Sequence, residues 1–430
     1  MTDATPAWRR LSLQSLAGHA WLGHASLILL SQVLAAGLGV VYWVVAARFY
    51  PAETVGKASA ELSFIFLLGT VAELGLRSAL VRYLPQHPGN GRRLVLQFAG
   101  LNAAAALAIS LAILVAPWRW LADSWVNTPW LAAATLVWTL YFVQSGALIG
   151  LRLTNHFLVQ SLLFNAGKLA LLLACALLAV PGAVVISWFA TAPLIAAAYW
   201  SLTLRRADSG RLAGNPPMPL RDMAGLVSLD FAGSLLAETT LRLLPLLVLR
   251  LIGAAEAAYF YQAFLVASML RLVTSSLVAS FTVEGARDPS RRRDFSRRMI
   301  LIALVLSVAG SLFLLAFGHW IMLVFGRDYA LNGTVALWLM GASAVPYVIN
   351  AWFIAHARLM GRGRAILVNE AAQFVFTFVP VVLLVPSLGL TGVGLSCLIG
   401  QIGPALLALG DLRQVFRPDI VGRQDRPREP

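Results

Sequence analysis

Four cationic side chains, Arg77, Lys168, Arg242 and Arg271, lie inside long apolar stretches of this 430-residue chain. A charge at the centre of a bilayer costs at least about 2.5–3.5 kcal/mol on insertion scales, so such a residue faces a wet cavity, a partner or a ligand. The densest cluster is Asp230, Ser234, Glu238 and Arg242, which recur every four residues and fall on one face of a helix. Pro245 follows and predicts a kink. Glu73 and Arg77 share that spacing, and a local ion pair is the competing reading for them. Lys168 has Asn165 one turn away but no carboxylate, and Arg271 has no neighbour of opposite charge. An inter-helix partner such as Glu238 would satisfy either. Arginine binds phosphate oxygens bidentately and keeps its charge at any physiological pH, so four cations at different depths point to an anionic cargo. Asp230 and Glu238 are the candidate carriers of a coupling proton or sodium ion, and no other cofactor is called for. Glu61 lies where it could line the same space, whereas Glu284 and Glu370 fall near span ends and are expected to be solvated.

The elements that must position these residues are twelve apolar stretches. They are Gly23–Phe49, Val55–Val81, Leu94–Trp118, Pro129–Leu151, Phe157–Val180, Val184–Leu204, Met223–Leu249, Ala257–Val283, Met299–Phe325, Gly333–Ala357, Ala365–Val385 and Thr391–Leu412. Each approaches or exceeds the roughly 20 apolar residues a spanning helix needs. The chain is 59% hydrophobic and only 12% charged, about half the charge of a soluble domain. None of the stretches alternates apolar and polar residues as a barrel strand would. The fold class is an all-α polytopic membrane protein with twelve transmembrane helices. Its arginines fall in every second gap: 24 of the 33 Lys+Arg lie before the first stretch, after the even-numbered ones or in the tail. Cationic loops stay cytoplasmic, which predicts that both termini are cytoplasmic. The first stretch leads straight into a second span, so it does not read as a cleavable signal. Around Arg9 and Arg10, Trp8, Leu11, Leu13 and Leu16 predict a short interfacial helix.

The two halves echo each other. The fourth stretch holds Tyr141, Gln144, Arg152 and Leu153, and the tenth holds Tyr347, Asn350, Arg358 and Leu359 at the same spacing. Gln144 and Asn350, the matched amides, complete the candidate substrate-binding set with Arg77, Lys168, Arg242 and Arg271. Pro181-Gly182 opens the sixth stretch, and Pro386 to Gly394 the twelfth. Repeats of six spans enter the membrane the same way round, which implies a pseudo-two-fold axis along the membrane normal. The expected organisation is an N-terminal segment (1–22), a first lobe (23–204), a cytoplasmic linker (205–222), a second lobe (223–412) and a basic tail (413–430).

The absences narrow the function. No Walker A, Gly-x-Ser-x-Gly or Cys-x-x-Cys sequence occurs, and the six histidines show no metal-ligand spacing. Cys175 and Cys397 sit inside spans and read as packing residues. The net charge of +14 is explained by topology, and aromatics do not interleave with the arginines as a nucleic-acid platform requires. The run Arg287–Arg298 is expected to lie against anionic headgroups.

The segments Ala47–Ala58 (ARFYPAETVGKA), Glu73–Tyr83 (ELGLRSALVRY), Glu256–Tyr261 (EAAYFY) and Gly389–Gly394 (GLTGVG), together with the span pattern, carry a resemblance. The chain resembles the polysaccharide-transporter (O-antigen, Wzx-type flippase) branch of the multidrug/oligosaccharidyl-lipid/polysaccharide exporter superfamily. That resemblance implies a V-shaped pair of six-helix lobes with a cationic central cavity. It also implies a membrane transporter, not an enzyme, whose cargo is an oligosaccharide on undecaprenyl pyrophosphate, an O-antigen or exopolysaccharide repeat unit, moved across the bilayer. A polysaccharide polymerase complex is the candidate protein partner. A proton- or sodium-coupled multidrug exporter of the same fold is the alternative. A membrane glycosyltransferase or polymerase ranks last, because no loop offers a convincing carboxylate cluster.

Overall fold

The computed structural model describes residues 20–73, 75–86, 91–115, 128–178, 180, 182–207 and 229–416. The expected interfacial helix and most of the linker and of the basic tail lie outside these residues. The helices in chain order are α1 (Ala20–Phe49), α2 (Ala52–Glu73), α3 (Leu76–Tyr83), α4 (Gly91–Val115), α5 (Thr128–Gly150), α6 (Thr154–Leu177), α7 (Ala183–Ala207) and α8 (Leu229–Leu251). They continue with α9 (Ala254–Arg287), α10 (Arg292–Phe325), α11 (Arg327–Ala342), α12 (Ala344–Leu359), α13 (Gly363–Leu407) and α14 (Leu409–Phe416). No strand occurs among the described residues.

Ten helices among the described residues are long and apolar enough to cross a membrane, and α11 with α12, bent by 41°, make an eleventh span. The twelfth comes from α13. A straight helix of its 45 residues would run roughly 68 Å, more than twice the ~30 Å hydrocarbon core. Gly389 breaks it with φ 55° and ψ −133°. Beyond the break the chain folds back: a Cβ added to Gly392 would stand 2.7 Å from the Leu384 carbonyl oxygen, and Gly403 faces Phe376. The eleventh and twelfth spans are thus an antiparallel hairpin. Lipid-facing leucines and valines remain exposed along α10, with Val305 at 67%. Such a surface is stable in hydrocarbon and not in water. The chain is a multi-pass membrane protein.

The repeat is legible in the backbone. Arg152 (φ 59°) and Gly361 (φ 66°) are the left-handed residues that end α5 and α12. Leu153 N–H bonds Leu148 C=O, and Arg362 N–H bonds Ala357 C=O, the same six-residue closure. The next helix starts two residues later in each half, at Thr154 and Gly363. This pairing matches Arg152 to Gly361, three residues beyond the Arg358 that the side-chain motif selects. Three residues are close to one helical turn, so the motif keeps the correct face and misses the register. Gly182 (φ 72°) and Gly389 (φ 55°) turn the chain before the sixth and twelfth spans.

The chain packs as two compact units, which do not follow the linker. The first comprises Met1–Phe231, Leu241–Gln262 and Ile321–Asn332. The second comprises Ala232–Thr240, Ala263–Trp320 and Gly333–Pro430. In the first unit α5 is the hub, packed on α2, α3, α4 and α7. Small residues permit the close approach: a Cβ on Gly150 would meet the Leu80 carbonyl oxygen at 2.8 Å, and one on Gly146 would meet Arg77. Leu80, Val95, Phe98, Val143 and Ala147 fill the core there. In the second unit, Ile300, Trp352 and Ala355 are buried in one core with Phe281 and Met299. Arg293 and Arg297 both donate to the Val415 carbonyl at the end of α14, at 3.0 and 2.7 Å. Part of the basic run expected against headgroups therefore caps a helix instead.

Candidate functional site

The fourth span contributes three rings at i, i+3 and i+4, Trp138, Tyr141 and Phe142, and the first unit is organised around them. Phe66 of α2 stacks on Trp138 at 4.5 Å, and Phe142 meets Trp138 edge-on at 4.8 Å. Trp188 of α7 lies 5.2 Å from Phe66 and 5.6 Å from Phe164 of α6. Tyr42 of α1 abuts Trp188, and its hydroxyl donates to the Val184 carbonyl at 2.7 Å.

Three of the four predicted cations hang on this one cluster. Lys168 Nζ stands 3.6 Å above the Trp188 ring and 5.1 Å from both Tyr42 and Phe164. The Arg242 guanidinium lies 5.2 Å over Phe66, and that of Arg77 5.2 Å over Phe142. A desolvated cation–π contact contributes about 2 kcal/mol or more, comparable with the roughly 2.5–3.5 kcal/mol cost of inserting the charge. Ring faces from three helices therefore suffice to keep Lys168 buried at 2% exposure without a carboxylate. Among the described residues neither Lys168 nor Arg77 has an ion-pair partner. The competing reading of Glu73 and Arg77 as neighbours on one helix face meets a break, because Gly75 (φ 73°) separates α2, which ends at Glu73, from α3. Glu61 accepts a 2.9 Å hydrogen bond from the Trp130 indole, and Asn165 bonds back to the Ser161 carbonyl.

In the second unit the Arg271 guanidinium lies 4.1 Å over the Tyr347 ring, and the Tyr347 hydroxyl reaches Ser275 Oγ at 3.4 Å. Arg271 has no carboxylate partner among the described residues. Ser234 receives a 3.2 Å hydrogen bond from Arg358. Glu238 is half-buried, and the side chain of Asp230 lies outside the described residues. Glu370 is 6% exposed, not solvated as expected: α13 begins at Gly363, so Glu370 lies two turns inside the helix.

The matched amides behave alike. Gln144 donates to the Ala196 carbonyl of the sixth span at 2.8 Å, and Asn350 donates to the Gln401 carbonyl of the twelfth at 2.9 Å. Both are buried, and both tie the fourth span of their half to the sixth. Sequence reasoning found the cations and missed the rings beneath them; the aromatic spacing in the fourth stretch was the available signal.

A second feature, at the arginine-poor end of the first unit, was also missed. Arg48, closing α1, donates through Nε to Val324 C=O and through Nη2 to Leu323 C=O, both at 2.8 Å. It caps the end of α10. Nearby, Gly56 of α2 lies so close to Ala254 that an added Cβ would strike its carbonyl oxygen. Trp43 packs on Tyr261 at 4.6 Å, and Tyr259 meets Tyr329 edge-on at 5.0 Å. Helix ends from both halves of the sequence are sealed together here.

No protein-family model matches the chain, and no curated protein sequence does. Solved structures do. The lipid II flippase MurJ in an inward closed conformation is similar with a TM-score of 0.72 at 13% identity, over 89% of this chain and 87% of that one. An inward-facing multidrug resistance MATE-family transporter of the MOP superfamily gives 0.67 at 16% identity, over 89% and 94%. A MOP-superfamily transporter from Pyrococcus furiosus, described as having a binding pocket of reverse polarity, gives 0.66 at 16%, over 91% and 96%. The chain shares the fold of these transporters.

Proposed function

We propose that the protein is a flippase that moves an undecaprenyl-pyrophosphate-linked oligosaccharide across the bacterial inner membrane by ion-coupled alternating access. The observation that carries this reading is the aromatic cluster bearing Arg77, Lys168 and Arg242, two of them without an ion-pair partner among the described residues. Such a site suits a cargo with phosphates, since guanidinium groups replace water around phosphate oxygens. Arg77, Arg242 and Arg271 are the phosphate contacts in this reading. Lys168, shut among its rings, supplies a fixed positive field. Asp230 and Glu238 are the coupling carboxylates, and buried Glu370 joins them as a third candidate. The likeness to a lipid II flippase supports a lipid-linked cargo, and the arginine-rich loops support cytoplasmic termini.

The test is surface polysaccharide in a deletion strain complemented with Arg271→Ala or Lys168→Ala. Both variants are expected to insert at normal levels and to abolish the polymer; normal polymer with both removes the binding-site assignment. A second reading, export of amphipathic cations, is favoured by the burial of Glu370 and by the likeness to MATE transporters. Unchanged drug susceptibility on deletion is the result expected here, and hypersensitivity selects the second reading.

A further inference from the structure

Between α5 and α7 the first unit carries an apolar groove of about 570 Å³ that none of the candidate cargo residues lines. That size falls in the range of small-molecule sites, roughly 300–1,000 Å³. On α7 it is walled by Pro193, Ala196, Ala197, Trp200, Ser201 and Leu204, a single helical face. Val137 and Leu140 of α5 form the other wall. From Pro193 to Leu204 the groove runs roughly 16 Å, close to half of the ~30 Å hydrocarbon core, so it spans one leaflet. It ends at the arginine-rich face. Exposed Arg205 follows Ser201 by one turn, and Arg206 adjoins it. The start of α4 comes to the same place: a Cβ on Gly91 would stand 2.7 Å from the Ala207 carbonyl oxygen. Arg92 and Arg93 follow directly and are exposed.

We propose that this groove holds an acyl chain of an anionic diacyl phospholipid from the leaflet at the arginine-rich face, with the lipid phosphate on Arg205. Charge complementarity selects an anionic headgroup over a zwitterionic one. Length selects the chain: an acyl chain fills a one-leaflet groove, whereas an undecaprenyl chain overruns it. The assignment depends on the membrane fold and not on the identity of the cargo.

Native mass spectrometry of the delipidated full-length protein, offered equimolar phosphatidylglycerol and phosphatidylcholine, tests it. Wild-type protein is expected to retain phosphatidylglycerol preferentially. Arg205→Gln should lower that retention about fivefold, the loss expected for one interfacial cation. Ala197→Phe, which fills the groove from an exposed position, should lower retention of either lipid. Equal retention of the two lipids, or retention unaltered in both variants, overturns the proposal. Displacement of phosphatidylglycerol by equimolar undecaprenyl phosphate overturns it as well and gives the groove to a polyprenyl chain. Loss of polysaccharide export with lipid retention intact would bear on the proposed function alone.

Discussion

Lys168 and Arg271 are both lone cations on membrane-spanning helices, and the two units handle them differently. Lys168 is 2% exposed and touches three ring faces, Trp188, Tyr42 and Phe164. Arg271 is half-buried over one ring, Tyr347. The first unit holds its charge by non-directional attraction to a packed aromatic cluster. The second offers Arg271 the ring of Tyr347, whose hydroxyl reaches Ser275 Oγ. The rings around Lys168 are therefore structural and the lysine is replaceable for stability, while Arg271 remains available to a ligand.

The largest expected effect follows from that asymmetry. Trp188 joins Tyr42, Phe66, Phe164 and Lys168, so Trp188→Ala, although the ring is itself half-buried, strips packing from all four and should cost about 3 kcal/mol. Tyr347→Ala removes an equally half-buried ring against which Arg271 and Ser275 rest, and should cost less than half of that. Denaturant melts of the two variants in detergent measure both, and equal losses would break the comparison. Lys168→Met sharpens it. Removing a charge whose insertion cost the rings only just offset should leave stability unchanged or raise it by about 1 kcal/mol, while transport is lost. A variant that melts normally and still transports would show that the buried charge serves no purpose in transport.

Much of this arrangement was legible in the sequence. Hydropathy is a one-dimensional property, and it located the twelve spans found among the described residues, including the two that α13 joins through Gly389. It could not register the break at Gly75, which depends on a single φ angle in an apolar run. Nor did it bury Glu370, because burial there depends on where the preceding turn places the start of α13. The cations stood out because charge is rare in apolar stretches. Their partners did not, since Tyr42 and Lys168, or Phe66 and Arg242, are distant in the chain and meet only when helices pack.

The matched amides allow a comparison with smaller stakes. Gln144→Leu and Asn350→Leu each remove a bond between the fourth and sixth spans of a half, and each should cost about 1–3 kcal/mol. The two should cost about the same, because each leaves a second buried amide without its partner: Gln160 Nε2 loses Gln144 Oε1, and Gln401 Oε1 loses Asn350 Nδ2, both at 2.9 Å. The double variant should be additive within about 0.5 kcal/mol, since the two residues serve separate spans. Strong non-additivity in melting would mean that the two halves do not carry independent copies of the same tie.

The smallest effect belongs to the sealed end. Arg48 is exposed, so its two bonds to the α10 carbonyls are worth on the order of 1 kcal/mol together, despite their short length. That suffices to shift an opening equilibrium about fivefold without unfolding anything. Ala258 is a fitting reporter: it is fully buried, and its backbone nitrogen is among the atoms closest to Gly56. In an Ala258→Cys protein with Cys175 and Cys397 replaced by alanine, Arg48→Gln should raise the labelling rate with a membrane-impermeant maleimide about fivefold. Gly56→Val, which drives a side chain into the Ala254 carbonyl, should raise it further. Equal labelling in all three proteins would mean that opening does not pass through this contact, and that the cap on α10 stabilises a helix end without holding a gate.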